Sequence, residues 1–142
     1  MINNLIDGIS IKLNQVFGDG VRIYSEDVKQ GLTEPCFFIA VLNPSNDQLI
    51  GSRSFRQYPF DIHYFPSVQG SNLELQTMAS NLYEALETIT LIDGDMVRGT
   101  RMNHEVVDDV LHFFVNFNMF IRKVEVPGDP METLTVNNNV KG

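Results

Sequence analysis

Val110-Leu111-His112-Phe113-Phe114-Val115-Asn116-Phe117-Asn118-Met119-Phe120-Ile121-Arg122-Lys123-Val124 decides the fold class. Leu111, Phe113, Val115, Phe117, Met119 and Ile121 alternate with His112, Phe114, Asn116, Asn118, Phe120 and Arg122. A period of two is that of a β-strand with one face on a core. Just upstream, Asp108-Asp109 forms a short polar turn, and Met96 to Val107 reads as a second strand. The two are expected to pair as an antiparallel hairpin.

Upstream, Arg53 to Phe65 alternates in the same way. Tyr58, Phe60, Ile62 and Tyr64 point one way, and Gln57, Asp61 and His63 the other. Pro59 cannot donate to a ladder and argues for an edge or a bulge there. Cys36 to Leu42 is apolar throughout, which suggests a central strand covered on both faces. Asn43-Pro44-Ser45-Asn46-Asp47 is dense in turn formers and reads as a loop, and Val21 to Tyr24 as a short strand.

Two segments have helical spacing. Ile2, Leu5, Ile6, Ile9, Leu13, Val16 and Phe17 form one stripe, ended by Gly18-Asp19-Gly20. Ser71-Asn72-Leu73-Glu74 fits a capping box. It opens a stripe of Leu75, Met78, Ala79, Leu82, Ala85, Leu86 and Ile89, closed by Asp93-Gly94. The predicted fold is α+β: an antiparallel sheet of about five strands with both helices on one face. Residues 1–126 form a single domain in this reading. Residues 127–142 begin with Pro127-Gly128-Asp129-Pro130 and form a flexible C-terminal tail or an arm that orders on a partner.

The 142 residues carry 18 acidic and 10 basic side chains, a formal charge of −8. Such a balance argues against a general nucleic-acid binder, which needs clustered Lys and Arg. It argues equally against docking on anionic lipid. No stretch approaches the roughly 20 apolar residues of a membrane span, and the N-terminus does not resemble a secretory signal. Cys36, the single cysteine, has no internal partner. Preceded by proline in an apolar strand, it reads as a buried, inert thiol rather than a nucleophile.

No catalytic, cofactor or metal site is expected. The hairpin register places His112 opposite Glu105, with His104 facing the other way. One histidine and one carboxylate are too few ligands, so the histidines read as solvent-side strand residues. Neither a nucleophile elbow nor a phosphate loop occurs. Asp93, Asp95, Asp108 and Asp109 lie in turns and lack the ligand ladder of a calcium loop.

Two features point to assembly instead. Arg53 and Arg56, and Arg98 and Arg101, are spaced by three, which on a regular strand puts each pair on opposite faces. A phosphate patch is disfavoured. Pairing with acids of a neighbouring subunit and plain surface solvation fit equally. Phe114 and Phe120 sit on the polar side of the last strand. With both helices on one face, aromatic surface on the other needs cover from the loop and tail or from another subunit.

Several segments together resemble a known family: the opening helix Met1 to Ile9, Glu34-Pro35-Cys36-Phe37-Phe38-Ile39, Arg56 to Phe65, Leu82-Tyr83-Glu84-Ala85-Leu86, and Asp108 to Val115. The chain is similar over about residues 1–125 to the phage tail terminators of phages, prophages and phage-tail-like bacteriocins of Gram-positive bacteria. The resemblance implies a structural protein without catalytic residues or cofactors. It implies a ring, usually a hexamer, on the head-proximal end of the tail tube, assembled in the bacterial cytoplasm and carried in the particle. Its partners would be its own copies, the tail tube protein, the sheath protein in a contractile tail, and a head-completion protein in a phage. DNA would be a passing cargo, and no membrane is involved. The alternatives are a head–tail adaptor, which the helix–sheet order disfavours, and a small ligand-binding α+β domain using the aromatic sheet face.

Overall fold

The computed structural model describes residues 2–25 and 32–122. Along the chain run α1 (Ile2–Phe17), β1 (Arg22–Ser25), β2 (Cys36–Val41), β3 (Ser45–Gln48), β4 (Arg53–Phe65), α2 (Asn72–Ala85), β5 (Thr88–Thr90), β6 (Met96–Val107) and β7 (Val110–Arg122). The strands form a seven-stranded sheet in the order β1-β2-β4-β7-β6-β5, with β3 also paired to β4. Both helices pack on one face, so the α+β class stands. The sheet is larger than the five antiparallel strands expected, and it is mixed, because β1 runs parallel to β2.

β4 and β6 span the residues read as strands from the sequence. The β6–β7 turn is the expected two-residue one, with Asp108 and Asp109 both at positive φ (52° and 63°), as a type I′ hairpin requires. β7 pairs with β4 over twelve positions, from Arg53↔Arg122 to Tyr64↔Leu111. The last two residues of the strand read from the sequence, Lys123 and Val124, lie outside the described residues, as does the segment 127–142 read as a tail.

Three expectations are corrected. Ser45–Gln48 is a strand rather than a loop; every residue of it is exposed, and it forms by pairing with β4 from Ser54 to Gln57. The second helix ends at Ala85, capped by Leu86. Thr88-Ile89-Thr90 then forms β5 against β6, because β-branched side chains favour the pleated conformation. Ile89 is buried as its place on the stripe implied, but from a strand. Pro59 lies neither on an edge strand nor at a bulge. Its carbonyl accepts from Leu42 N–H on the side where β2 ends and β3 has not begun. The N–H that proline lacks would point into this gap, so an inner strand tolerates it.

The core lies between the helices and the sheet. Leu5, Ile9 and Leu13 of α1 and Leu75, Met78, Ala79 and Leu82 of α2 meet Phe37, Phe60, Ile62, Phe113, Val115 and Phe117. Val16, assigned to the α1 stripe, is exposed. Two close approaches tie the end of α2 and the strand after it to the rest. Gly8 brings α1 against Ile89, Thr90 and Leu91, and Gly99 of β6 packs on the Leu86 carbonyl, where a Cβ would collide.

The N-cap of α2 is more elaborate than a capping box. Ser71 Oγ accepts from Glu74 N–H at 3.3 Å. The Glu74 carboxylate does not turn back to Ser71. It accepts from Tyr64 O–H (2.7 Å), Ser67 N–H (2.8 Å) and Val68 N–H (3.2 Å), so it binds the β4–α2 connection to the helix start. Desolvation alone would raise the Glu74 pKa, but these hydrogen bonds outweigh it and hold the group below its ordinary 4.5.

Candidate functional site: the open face of the sheet

Strand alternation sends a second set of side chains to the face opposite the helices. Among the described residues no helix covers it. β2 contributes Phe38, β4 contributes Phe55, Asp61 and His63, and β7 contributes His112, Phe114, Asn116, Asn118 and Phe120. Register then decides who meets whom: Phe55 stands opposite Phe120, Gln57 opposite Asn118, Asp61 opposite Phe114, and His63 opposite His112.

One end of this face is aromatic and cationic. Phe120 is 72% exposed, although its ring lies 4.8 Å from that of Phe55. Phe120 and Arg98 border a shallow hollow with Asp95, Met96 and Asn118. Nearer the middle of β7, opposite Asp61, Phe114 borders a second one with Arg101, Leu42, Pro59, Asn103 and Asn116. Arg98 and Arg101 therefore serve the same face, contrary to the spacing argument. The cause is a break in the β6–β7 register between Thr100 and Asn103, with Arg101 at a φ of 53°. A bulge adds a residue and resets the alternation. Arg53 and Arg56 lie at the start of β4, on either side of Phe55. Arg53 is exposed opposite Arg122, and Arg56 Nε donates to Asn46 Oδ1 at 3.1 Å. The site residues named from the sequence thus divide: Arg98 with Phe120 and Arg101 with Phe114 border two separate hollows of the open face, Arg53 is exposed, and Arg56 is engaged with β3.

At the other end lies a group the sequence reading did not assemble. The buried Asp61 Oδ2 accepts from His63 Nε2 at 3.0 Å and from His112 Nδ1 at 3.1 Å. Burial would raise the Asp61 pKa; the hydrogen bonds from both histidines and their charges when protonated outweigh it and lower it. Asp61 Oδ1 is buried without a hydrogen-bond partner. The imidazoles lie among aromatics, His63 tilted against Phe38 and His112 stacked on Phe114. Glu105 does stand opposite His112 as expected, but it is exposed, and the carboxylate that His112 uses comes from β4. The Asp61-x-His63 spacing put both on one face and was legible. That His63 meets His112 depends on a strand pairing 49 positions apart in sequence, which local pattern does not encode.

The remaining histidine is not a bare solvent residue either. His104 faces the helices, and its two ring nitrogens meet Tyr83 O–H at 2.8 Å and Gln76 Oε1 at 3.1 Å. The amide oxygen can only accept, so Nε2 carries the proton and Nδ1 accepts from the tyrosine. Cys36 is fully buried, and burial, with the nearby Glu34 charge, pushes its thiol up to about 11. It is the inert thiol expected.

No curated protein matches the chain. Among the solved structures that match, one aligns over 85% of this chain and 97% of its own, at 10% identity and a TM-score of 0.42, too distant to bear on function. A family model described as phage tail terminator protein matches residues 4–129. Nearly the whole helix–sheet unit, both ends of the open face included, falls within that match, and the chain belongs to the phage tail terminator family, a family of structural tail proteins.

Proposed function

We propose that the protein closes the head-proximal end of a tail tube as a ring of its own copies. It stops tube polymerisation, offers the surface on which a head docks, and in a contractile tail also caps the sheath. Its role is structural, with no catalytic step. The observation that carries this reading beyond family membership is the aromatic and arginine-bearing end of the open face. Phe120 is exposed beside Arg98 on a sheet whose other face is already closed by two helices. Exposed aromatic residues with arginine are the composition of interface centres. A closed ring uses two different, complementary patches on each subunit. The open face is one of them in this reading.

Electron microscopy of particles assembled without the protein tests it. Tails of uncontrolled length are expected, and tails of normal length would remove the termination role. In a phage the charge of −8 has a further use, since acidic groups on a channel wall repel passing DNA. Replacing the lumenal acids by amides should then slow DNA ejection, and an unchanged rate would remove the idea.

A further inference from the structure

We propose that Asp61, His63 and His112 form a binding site for one divalent transition-metal ion of the zinc class on the open sheet face. β4 places Asp61 and His63 two residues apart on one face, and β7 places His112 directly across from His63. One ligand atom from each, a ring nitrogen of His63, a ring nitrogen of His112 and an Asp61 carboxylate oxygen, lies within 4.8 Å of the others. Ligand atoms around tetrahedral zinc, each about 2.0–2.2 Å from the ion, stand roughly 3.3 Å apart. The two contacts to Asp61 Oδ2, at 3.0 and 3.1 Å, are already near that spacing. Small side-chain rotations admit an ion in place of the two hydrogen bonds, each imidazole moving its proton to the opposite ring nitrogen.

Donor chemistry sets the class of ion. Two imidazoles and one carboxylate suit zinc, cobalt or nickel, whereas calcium and magnesium require oxygen ligands. Hydrogen bonding alone also leaves the carboxylate half satisfied, because buried Oδ1 has no partner. A cation at this carboxylate compensates its whole charge. The side chains of His63 and His112 are each 22% exposed, which gives the ion an entry path and leaves a position for water as the fourth ligand. Phe38 and Phe114 hold the rings in place. His104 is the contrast: both its nitrogens are committed to Tyr83 and Gln76, and it belongs to no such three-residue cluster among the described residues.

The test is calorimetric titration of the metal-stripped full-length protein with Zn²⁺, repeated with Co²⁺ to read ligand geometry from its visible absorption. The expected result is saturable binding of one ion per chain and a Zn²⁺-dependent rise in melting temperature. His63→Gln and His112→Gln should each weaken binding about 10-fold or more, while His104→Gln leaves it unchanged. Circular dichroism confirms that each variant is folded. Absence of saturable binding by the wild-type protein would overturn the site regardless of the variants, and so would binding that survives both substitutions. The outcome is independent of ring formation, since it is read on the free chain.

Discussion

The two faces of the sheet are built by the same strands and end up chemically opposite. On the helix-covered face, β4 and β7 present Phe60, Ile62, Phe113, Val115 and Phe117, all fully or almost fully buried. Phe60 and Phe117 meet edge to face at 6.1 Å. On the open face the same strands present Phe55, Asp61, His63, His112, Phe114 and Phe120. There one phenylalanine is largely exposed, and three buried oxygens, Asp61 Oδ1, Asn116 Oδ1 and Asn118 Oδ1, have no hydrogen-bond partner. A finished core leaves few such atoms. The difference separates a face that stabilises the fold from one that, in the proposed function, makes contacts outside it.

The largest expected effect of substitution lies on the covered face. Phe117→Ala empties the space between β7 and the helices and should cost about 3–5 kcal/mol in chemical denaturation. A loss no greater than that of an open-face phenylalanine would break the distinction. Next comes Gly99→Ala, whose methyl group would collide with the Leu86 carbonyl. Accommodation requires β6 or the end of α2 to move, at a cost of about 1–3 kcal/mol or more, read as a lower denaturation midpoint.

A smaller effect is expected at Glu74, which joins the β4–α2 connection to the helix. Its folded pKa is lowered below 4.5. Its contribution is therefore fully present above that value and is lost as pH falls through the lowered folded value. Glu74→Gln should destabilise the protein at neutral pH, and the gap to wild type should close on acidification. A gap that does not vary with pH would show that the charge is immaterial. Smallest in stability is Phe120→Ser, expected to shift unfolding by less than about 0.5 kcal/mol, because the side chain is already mostly in water. Its consequence should appear only in assembly.

Legibility from sequence followed the same division. The helix-covered face was readable because each of its strands and helices carries its own period. The limits of β4 and β6, the Asp108-Asp109 turn and the Ser71 cap could be read directly. Elements that exist only through a neighbour could not. Ser45–Gln48 looks like a loop and becomes β3 because β4 offers it a ladder. Thr88–Thr90 continues a helical stripe and becomes β5 because β6 is beside it. The parallel placement of β1 has no local signature. On the open face, Phe114 and Phe120 stood out as apolar residues on a polar side. The bulge that turns Arg101 onto that face and the pairing that joins His63 to His112 are long-range facts.

In the proposed function the open face, not the helical one, makes the contacts that end a tail. Electron microscopy decides between the two faces through the tail lengths of particles assembled with Phe120→Ser and with Leu73→Ser. Leu73 is a matched control, since it is 78% exposed on α2. The expected result is a broadened distribution of lengths for Phe120→Ser and a wild-type distribution for Leu73→Ser. Normal tails with Phe120→Ser and uncontrolled tails with Leu73→Ser would contradict the claim and move the contact surface to the helices.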